Sequence, residues 1–383
     1  MDRDPLLQQS VTVAGAVDYR GLPISRSSFG GWSSALFIIG VEIAERFAFY
    51  GISLNLITYL TGPLGESAAA AAAVNTWSGV ACMLPLLGAF VADSYLGRFR
   101  TIILASLLYI QGLGMLTLSS VLPSIHPSTC DDTMDPTACR PLSPAQVALF
   151  YFSLYLIAFA QGGHKPCVQA FGADQFDQND PKESMDKSSF FNWWYFGMSG
   201  GILVTLVILS YIQDNISWGL GFGIPCIAML FALVVFLLGT KTYRFYVLED
   251  ESPFVRIGKT LVALVRRRQA RFPITSQETG ETPQYKPSGG PTCSSSSKEI
   301  DSVDNVDHLH EAKGILGLFP IWATCLIYAV VFAQSSTFFT KQGSTLNRRI
   351  GSNLEVPPAA LQSFTSVSIV AFIPIYDHLD VTS

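Results

Sequence analysis

The chain has 383 residues, of which 14% are charged and 49% hydrophobic, with a formal net charge of −5. Soluble domains carry about 25% charged residues, so this deficit and a mean hydropathy of +0.35 exclude a disordered chain and a single large soluble core. The small acidic balance gives no reason to propose nucleic acid as a partner, and seven cysteines without a CxxC pair indicate neither a zinc site nor a redox motif.

The polar segment 1–28 lacks the basic-then-apolar plan of a cleaved signal peptide, so the first apolar segment is read as a retained membrane helix. Asp2 followed by Leu6 and Leu7 has the form of an acidic di-leucine sorting signal, or is a chance match in a polar tail. Apolar segments then run over 33–60, 69–92, 101–122, 145–173, 189–212, 217–240, 315–340 and 360–376. A spanning helix takes roughly 20 such residues. Continuous apolar runs exclude the alternating strands of a membrane barrel. Gly197 and Gly201, at GxxxG spacing, and the alanine run 68–73 are read as helix-packing residues.

Loop charge predicts the orientation. Arg98 and Arg100 in 93–100, Lys182 and Lys187 in 175–188, and the Arg266, Arg267, Arg268 run in 241–313 fall on one side. The loops 61–68 and 213–216 hold no basic residue, and 123–143 has only Arg140 beside Asp131, Asp132 and Asp135. The N-terminus and the long loop are therefore expected in the cytosol; Lys341, Arg348 and Arg349 go against the rule. In the opposite loop Cys130 and Cys139 are either a disulfide or two free thiols. The Asn215-Ile216-Ser217 sequon on that side sits too near the membrane to be used. Within the long loop, 253–271 mixes Phe254, Ile257, Leu261, Leu264 and Val265 with Arg256 and Lys259, a pattern for a helix lying on the inner leaflet. Residues 272–312 read as flexible, and His308, His310 and Glu311 have nothing to pack them into a metal site.

Charge inside a spanning helix is expensive, and each instance is a functional hypothesis. The first apolar segment contains Glu42, Glu45 and Arg46, with Glu42 placed beside the other two at i+3 and i+4. Two carboxylates and one guanidinium leave an excess negative charge unless a proton binds or another cation helps. Lys165, within Gly162-Gly163-His164-Lys165-Pro166, is that candidate cation. Such a cluster can hold or release a proton as its partners move, because desolvation and pairing act in opposite directions; the alternative is a static ion pair. No nucleophile or metal partner accompanies the glutamates, so the chain is not read as an enzyme, and no cofactor is expected.

These residues resemble the proton-coupled oligopeptide transporters, and specifically their plant nitrate-and-peptide branch. Glu42-Ile43-Ala44-Glu45-Arg46-Phe47 is similar to the family's ExxERF motif, and Gly88 to Gly112 to its first signature. Lys165 falls on the fourth-helix lysine, followed by Asp174-Gln175-Phe176-Asp177. Phe191-Asn192-Trp193-Trp194-Tyr195-Phe196 and Pro320-Ile321-Trp322-Ala323-Thr324 extend the likeness, which covers about 17–377. The resemblance implies an all-α membrane protein of the major-facilitator type. Its expected parts are a polar cytosolic N-terminus (1–32), a six-helix bundle (33–240), a cytosolic loop (241–314) and two helices of a second, incomplete bundle (315–383). It implies proton coupling by Glu42, Glu45, Arg46 and Lys165, and substrate contact by Lys165, Tyr50 and Gln334. Asp93, Gly97, Arg98 and Arg100 match the superfamily's gating loop, and Thr101, three residues after Arg98, is a candidate phosphorylation site.

Two departures stand against the family. Phe332 occupies the place where some nitrate carriers have a histidine, which disfavours nitrate binding by that route without excluding nitrate. Members need about twelve helices, whereas this chain is expected to end near the eighth, so alternating access between two bundles is in question. The expected function is proton-coupled symport of nitrate, di- or tripeptides or another small organic or anionic solute. The alternative is a truncated, non-transporting form that modulates a full-length homologue or is degraded. Expected partners are the solute, protons and the lipid bilayer, with either self-association or pairing with a homologue. The expected site is the vacuolar or the plasma membrane.

Overall fold

A computed structural model describes residues 12–65, 69–122, 144–246, 317–332, 334, 337–350 and 354–382, with the isolated positions 258 and 262. The described residues begin with a hairpin, β1 (Thr12–Val17) and β2 (Pro23–Ser25). Asp18 makes its turn, accepting from the backbone N–H of Arg20 at 2.8 Å and of Leu22 at 2.9 Å. The helices follow as α1 (Gly31–Ser53), α2 (Leu56–Thr61), α3 (Ala69–Val91) and α4 (Arg98–Val121). Next come α5 (Pro144–Ala173), α6 (Pro181–Val204), α7 (Ser210–Asn215) and α8 (Trp218–Leu238), then the strand β3 (Phe245–Tyr246). The described remainder holds α9 (Gly317–Phe332), α10 (Phe338–Gly343), β4 (Arg349–Ile350), β5 (Leu354–Glu355) and α11 (Ser363–Thr382).

The chain divides into two compact units, Met1–Leu248 with Phe332–Ser383, and Glu249–Val331. Among the described residues of the first unit, five helical stretches are long and apolar enough to cross a membrane: Ala72–Leu96, Arg98–Val121, Pro144–Ala173, Pro181–Asn215 and Trp218–Lys241. Helix α1 matches them in length, at 23 residues, but carries Glu42, Glu45 and Arg46. In the second unit the described apolar helix is α9, which falls within the 315–340 run expected from hydropathy.

Small residues set the helix spacing. A Cβ on Gly88 of α3 would lie 2.1 Å from the Gly162 carbonyl of α5, so these backbones touch. Gly197 and Gly201 of α6 face Ile43 of α1, the packing role expected of them; a Cβ on Gly201 would come to 3.0 Å from the Ile43 carbonyl. Around these crossings sit two aromatic-rich cores. One gathers Tyr59, Trp77, Tyr109, Phe150 and Phe222, the other Phe171, Phe190, Phe236 and Tyr243.

Residues 12–25 are paired into the fold. β1 lies between β2 and β3, pairing Ala16 with Tyr246 and Val17 with Phe245, which stitches the start of the chain to the end of α8. Arg244 locks the junction. It is fully buried, donates to the Phe29 carbonyl at 2.8 Å, and grips Glu183 through both terminal nitrogens at 2.6 and 3.2 Å. Gly30 passes directly over it with φ of 77°, where a Cβ would lie 2.1 Å from Arg244 Nε. Arg26 adds ion pairs to Asp180 and, at 2.6 Å, to Asp177. Asp180 also caps α6, accepting from the N–H groups of Lys182 and Glu183. Removing one partner of a buried, hydrogen-bonded ion pair leaves a charge without compensation and costs about 3–5 kcal/mol. Arg244→Met should therefore lower the thermal unfolding temperature of the purified chain in detergent markedly; a variant melting with the parent would show that this junction carries no stability.

Candidate functional site

The α1 charges meet inside the bundle. Arg46 Nε lies 2.7 Å from Glu42 Oε1 and 3.0 Å from Glu45 Oε2, and all three side chains are 3% exposed or less. One helical turn separates Glu42 from Arg46, so a single guanidinium serves both carboxylates from one face of the helix. Its capacity does not cover them. Glu42 Oε2 and both Glu45 oxygens accept no hydrogen bond among the described residues. The Tyr109 hydroxyl, from α4, stands beside Glu45.

Lys165 does not close this gap. It is exposed on α5 and forms no ion pair among the described residues, although it lies within electrostatic range of both glutamates. Its neighbour His164 points the other way, fully buried, with its imidazole grouped with Glu42 and Glu45. Sequence reading passed over His164 within the lysine motif. The available signal was its place inside a long apolar helix, where any ionisable side chain is unusual. Tyr50, half-buried, lies one turn beyond Arg46 within its electrostatic reach, and packs edge-on against Phe49. Gln334 is half-buried and accepts from the Thr337 N–H at 3.3 Å through its backbone carbonyl. A groove of about 150 Å³ among α3, α4 and α5, lined by Leu84, Val91, Leu104, Ala105, Phe159 and Gly163, is apolar and offers nothing to hold a charged solute.

The predicted gating residues gather at the end of the bundle where α3, α4 and α5 meet the α5–α6 connection. A π-helical turn, Ala92–Leu96, delivers Asp93, and Gly97, at φ 77°, begins α4. Arg98 then bridges Asp93 at 3.2 Å and Asp174 at 2.5 Å. Arg100 is exposed and pairs with none of the described residues. The Thr101 hydroxyl is buried and donates to the Gly97 carbonyl at 2.9 Å, so a kinase reaches it only if this turn opens. Cys130 and Cys139, the di-leucine Asp2, Leu6 and Leu7, the 253–271 amphipathic segment apart from positions 258 and 262, and His308, His310 and Glu311 lie outside the described residues.

One contact joins two motifs that the sequence presents apart. Asp377 on α11 accepts from Asn192 Nδ2 at 2.9 Å, Ser189 Oγ at 3.1 Å and Trp193 Nε1 at 3.1 Å, all on α6. Three donors on one carboxylate fix the angle between these helices.

Residues 99–382 match the sequence pattern of the POT family. The chain belongs to the POT family. A similar curated protein, NRT1/PTR FAMILY 5.10 of Arabidopsis thaliana, is 59% identical over 378 residues, covering 96% of this chain and 66% of the relative. NRT1/PTR FAMILY 5.14 of the same plant is 48% identical over 380 residues, covering 97% and 67%. The chain thus spans about two thirds of the length of the curated relatives it matches. A crystal structure of a peptide transporter POT in complex with sulfate superposes with a TM-score of 0.63 at 17% identity, over 93% of this chain and 71% of that one. The POT family transporter PepTSo gives 0.60 at 21% identity, over 89% and 68%. These likenesses establish an all-α, multi-pass membrane fold of the major-facilitator type. POT proteins are transporters, not enzymes.

Asp174 lies just past the end of α5, and its surroundings give it a pH signature. Burial pushes its carboxyl above the usual carboxylate range, and the Arg98 guanidinium pulls it partly back. The native state then holds this proton more readily than the unfolded chain. Its contribution to stability is present below the ordinary aspartate value of 3.8 and is lost as pH rises through the raised native value. The unfolding temperature of Asp174→Asn, relative to the parent, should therefore rise with pH across that interval. A difference that stays flat as pH rises from 3.8 would contradict the assignment.

Proposed function

We propose that the chain serves proton-coupled secondary transport of a small solute by alternating access, with nitrate, a di- or tripeptide or another small organic or anionic compound as cargo. The observation that carries this reading is the buried Glu42–Glu45–Arg46 cluster, with one more carboxylate than cation inside a bilayer-length helix. A static structural pair needs equal charge. An unequal one is neutral only when a proton is bound, so its occupancy answers to the proton concentration on whichever side the cluster faces. The names of similar proteins, NRT1/PTR family members and peptide transporters, support the solute classes.

In this reading Glu42 and Glu45 bind the driving proton and Arg46 sets their order of release. Lys165, exposed beside them, attracts the anionic end of a solute, and Tyr50 and Gln334 contribute to the same cavity. The Arg98 bridge between Asp93 and Asp174 is a gate at the cytosolic end. A phosphate on Thr101 would add negative charge beside Arg98 and Arg100 and loosen that gate. The N-terminus and the 241–314 segment are cytosolic, and the membrane is that of the vacuole or the cell surface. The organisation is a polar N-terminus over 1–32, a helical bundle over 33–240, the loop, and the helices of 315–383 as part of a second bundle.

Uptake of labelled nitrate and of a labelled dipeptide in oocytes, at acid and neutral external pH, tests the proposal. The chain is expressed alone and fused to the remaining third of a homologue, and membrane abundance is measured in the same cells. Acid-stimulated uptake is expected, and Glu45→Gln should reduce it to the level of uninjected cells with abundance unchanged. Undiminished acid stimulation in that variant would remove Glu45 from the coupling step. Uptake by the fusion alone would assign transport to the longer protein and leave this chain a modulator of it.

A further inference from the structure

We propose that His164 is the proton relay of the buried cluster, passing protons between the exposed face of α5 and the Glu42 and Glu45 carboxylates. The inference rests on the proton-coupled reading above and adds a residue to it. A histidine buried for packing alone finds hydrogen-bond partners, because an orphaned polar group in an apolar interior is costly. His164 has none: it is 0% exposed, and both Nδ1 and Nε2 lack a partner among the described residues. What lies nearby are the carboxylates with unused acceptor capacity. One nitrogen of His164 and one oxygen each of Glu42 and Glu45 all lie within 4.8 Å of one another. That spacing is bridged by a small rotamer change or by one water.

The charged surroundings define what the imidazole can do. From α1 it faces Glu42, Glu45 and Arg46; from α4, Tyr109, with ring centroids 6.5 Å apart; on α5 itself, the adjacent Lys165. Helix α3 brings no ionisable side chain except Cys82, which is exposed. Complete burial away from water disfavours a lasting charge on the ring, whereas a neutral imidazole with one donor and one acceptor nitrogen fits. Such a ring moves a proton without storing charge. A proton from water on the Lys165 side binds the acceptor nitrogen, and the proton on the other nitrogen passes to a glutamate oxygen. The ring is neutral before and after, the carboxylate gains one proton, and a ring flip or the reverse transfer restores the tautomer. The alternation from buried His164 to exposed Lys165 along α5 supplies the two ends of this path.

The test uses the full chain and its His164→Gln variant, which keeps an amide donor and acceptor but cannot relay. In oocytes, acid-driven uptake should fall by on the order of a hundredfold or more, as for loss of a general acid–base group. Counterflow of labelled solute at equal pH, and membrane abundance, should be retained. Uptake with the parent's rate and pH profile would overturn the relay, and so would equal loss of uptake and counterflow, which marks a packing role. A second arm needs no transport. In nanodiscs containing the purified, ¹⁵N-histidine-labelled chain, the His164 resonance, assigned by its absence from His164→Gln, should move on Glu45→Gln. A resonance unaffected by Glu45→Gln would overturn the proposal. So would stoichiometric capture of added Zn²⁺ at neutral pH by His164 and both glutamates, since the cluster would then be a metal site. A parent with no uptake in either form removes the transport reading instead, and the resonance arm then decides the relay by itself.

Discussion

A charge inside hydrocarbon must be answered by another charge or by a proton, and much of this bundle is arranged around that requirement. Helix α1 carries three ionisable groups where a spanning helix normally carries none. Their burial to 3% or less is possible because α6 approaches α1 through Gly197 and Gly201, close enough for its backbone to cover the cluster. The near contact of Gly88 with Gly162 brings α3 against α5, which presents His164 to the cluster within the same turn. Larger side chains at these crossings would separate the helices and admit lipid or water. The electrostatics therefore depend on the absence of side chains elsewhere.

The other end of the bundle handles charge differently. There Arg26, Arg98 and Arg244 each meet carboxylates, but the degree of burial varies. Arg244 is sealed against Glu183 beneath Gly30, whereas the Arg98 bridge stays about one-third exposed. Exposed pairs contribute little to stability and exchange easily with water, while sealed ones are costly to break. The contrast assigns permanence to the Arg244 junction and reversibility to the Arg98 bridge, which suits a fixed brace beside the proposed gate.

The helices and the α1 cluster were legible because each rests on local information. Hydropathy over a bilayer length and an i, i+3, i+4 charge pattern require no knowledge of distant residues. What escaped the sequence depends on partners far along the chain. The strand Thr12–Val17 has little strand signal of its own, being Thr, Val, Ala, Gly, Ala and Val, and is fixed by pairing with Phe245–Tyr246. Arg244 reads as one more basic residue after a membrane helix until Gly30 and Glu183 are folded over it. The Asp377 contacts with Ser189, Asn192 and Trp193 connect two stretches that sequence could only place on separate helices. His164 was visible as a residue but not as a direction, since burial distinguishes it from Lys165 and burial is a property of the assembled bundle.

The strand pairing also orders events at the ribosome. β1 is among the first described segments to be synthesised, yet the strand that completes its sheet ends at Tyr246, after α8. Until then the hairpin has one open edge and Glu183 lacks its buried counter-ion. The chain from α1 to α8 must therefore be made before their common end can be closed. Closure of that sheet reports, in one local event, that the chain has been made through Tyr246.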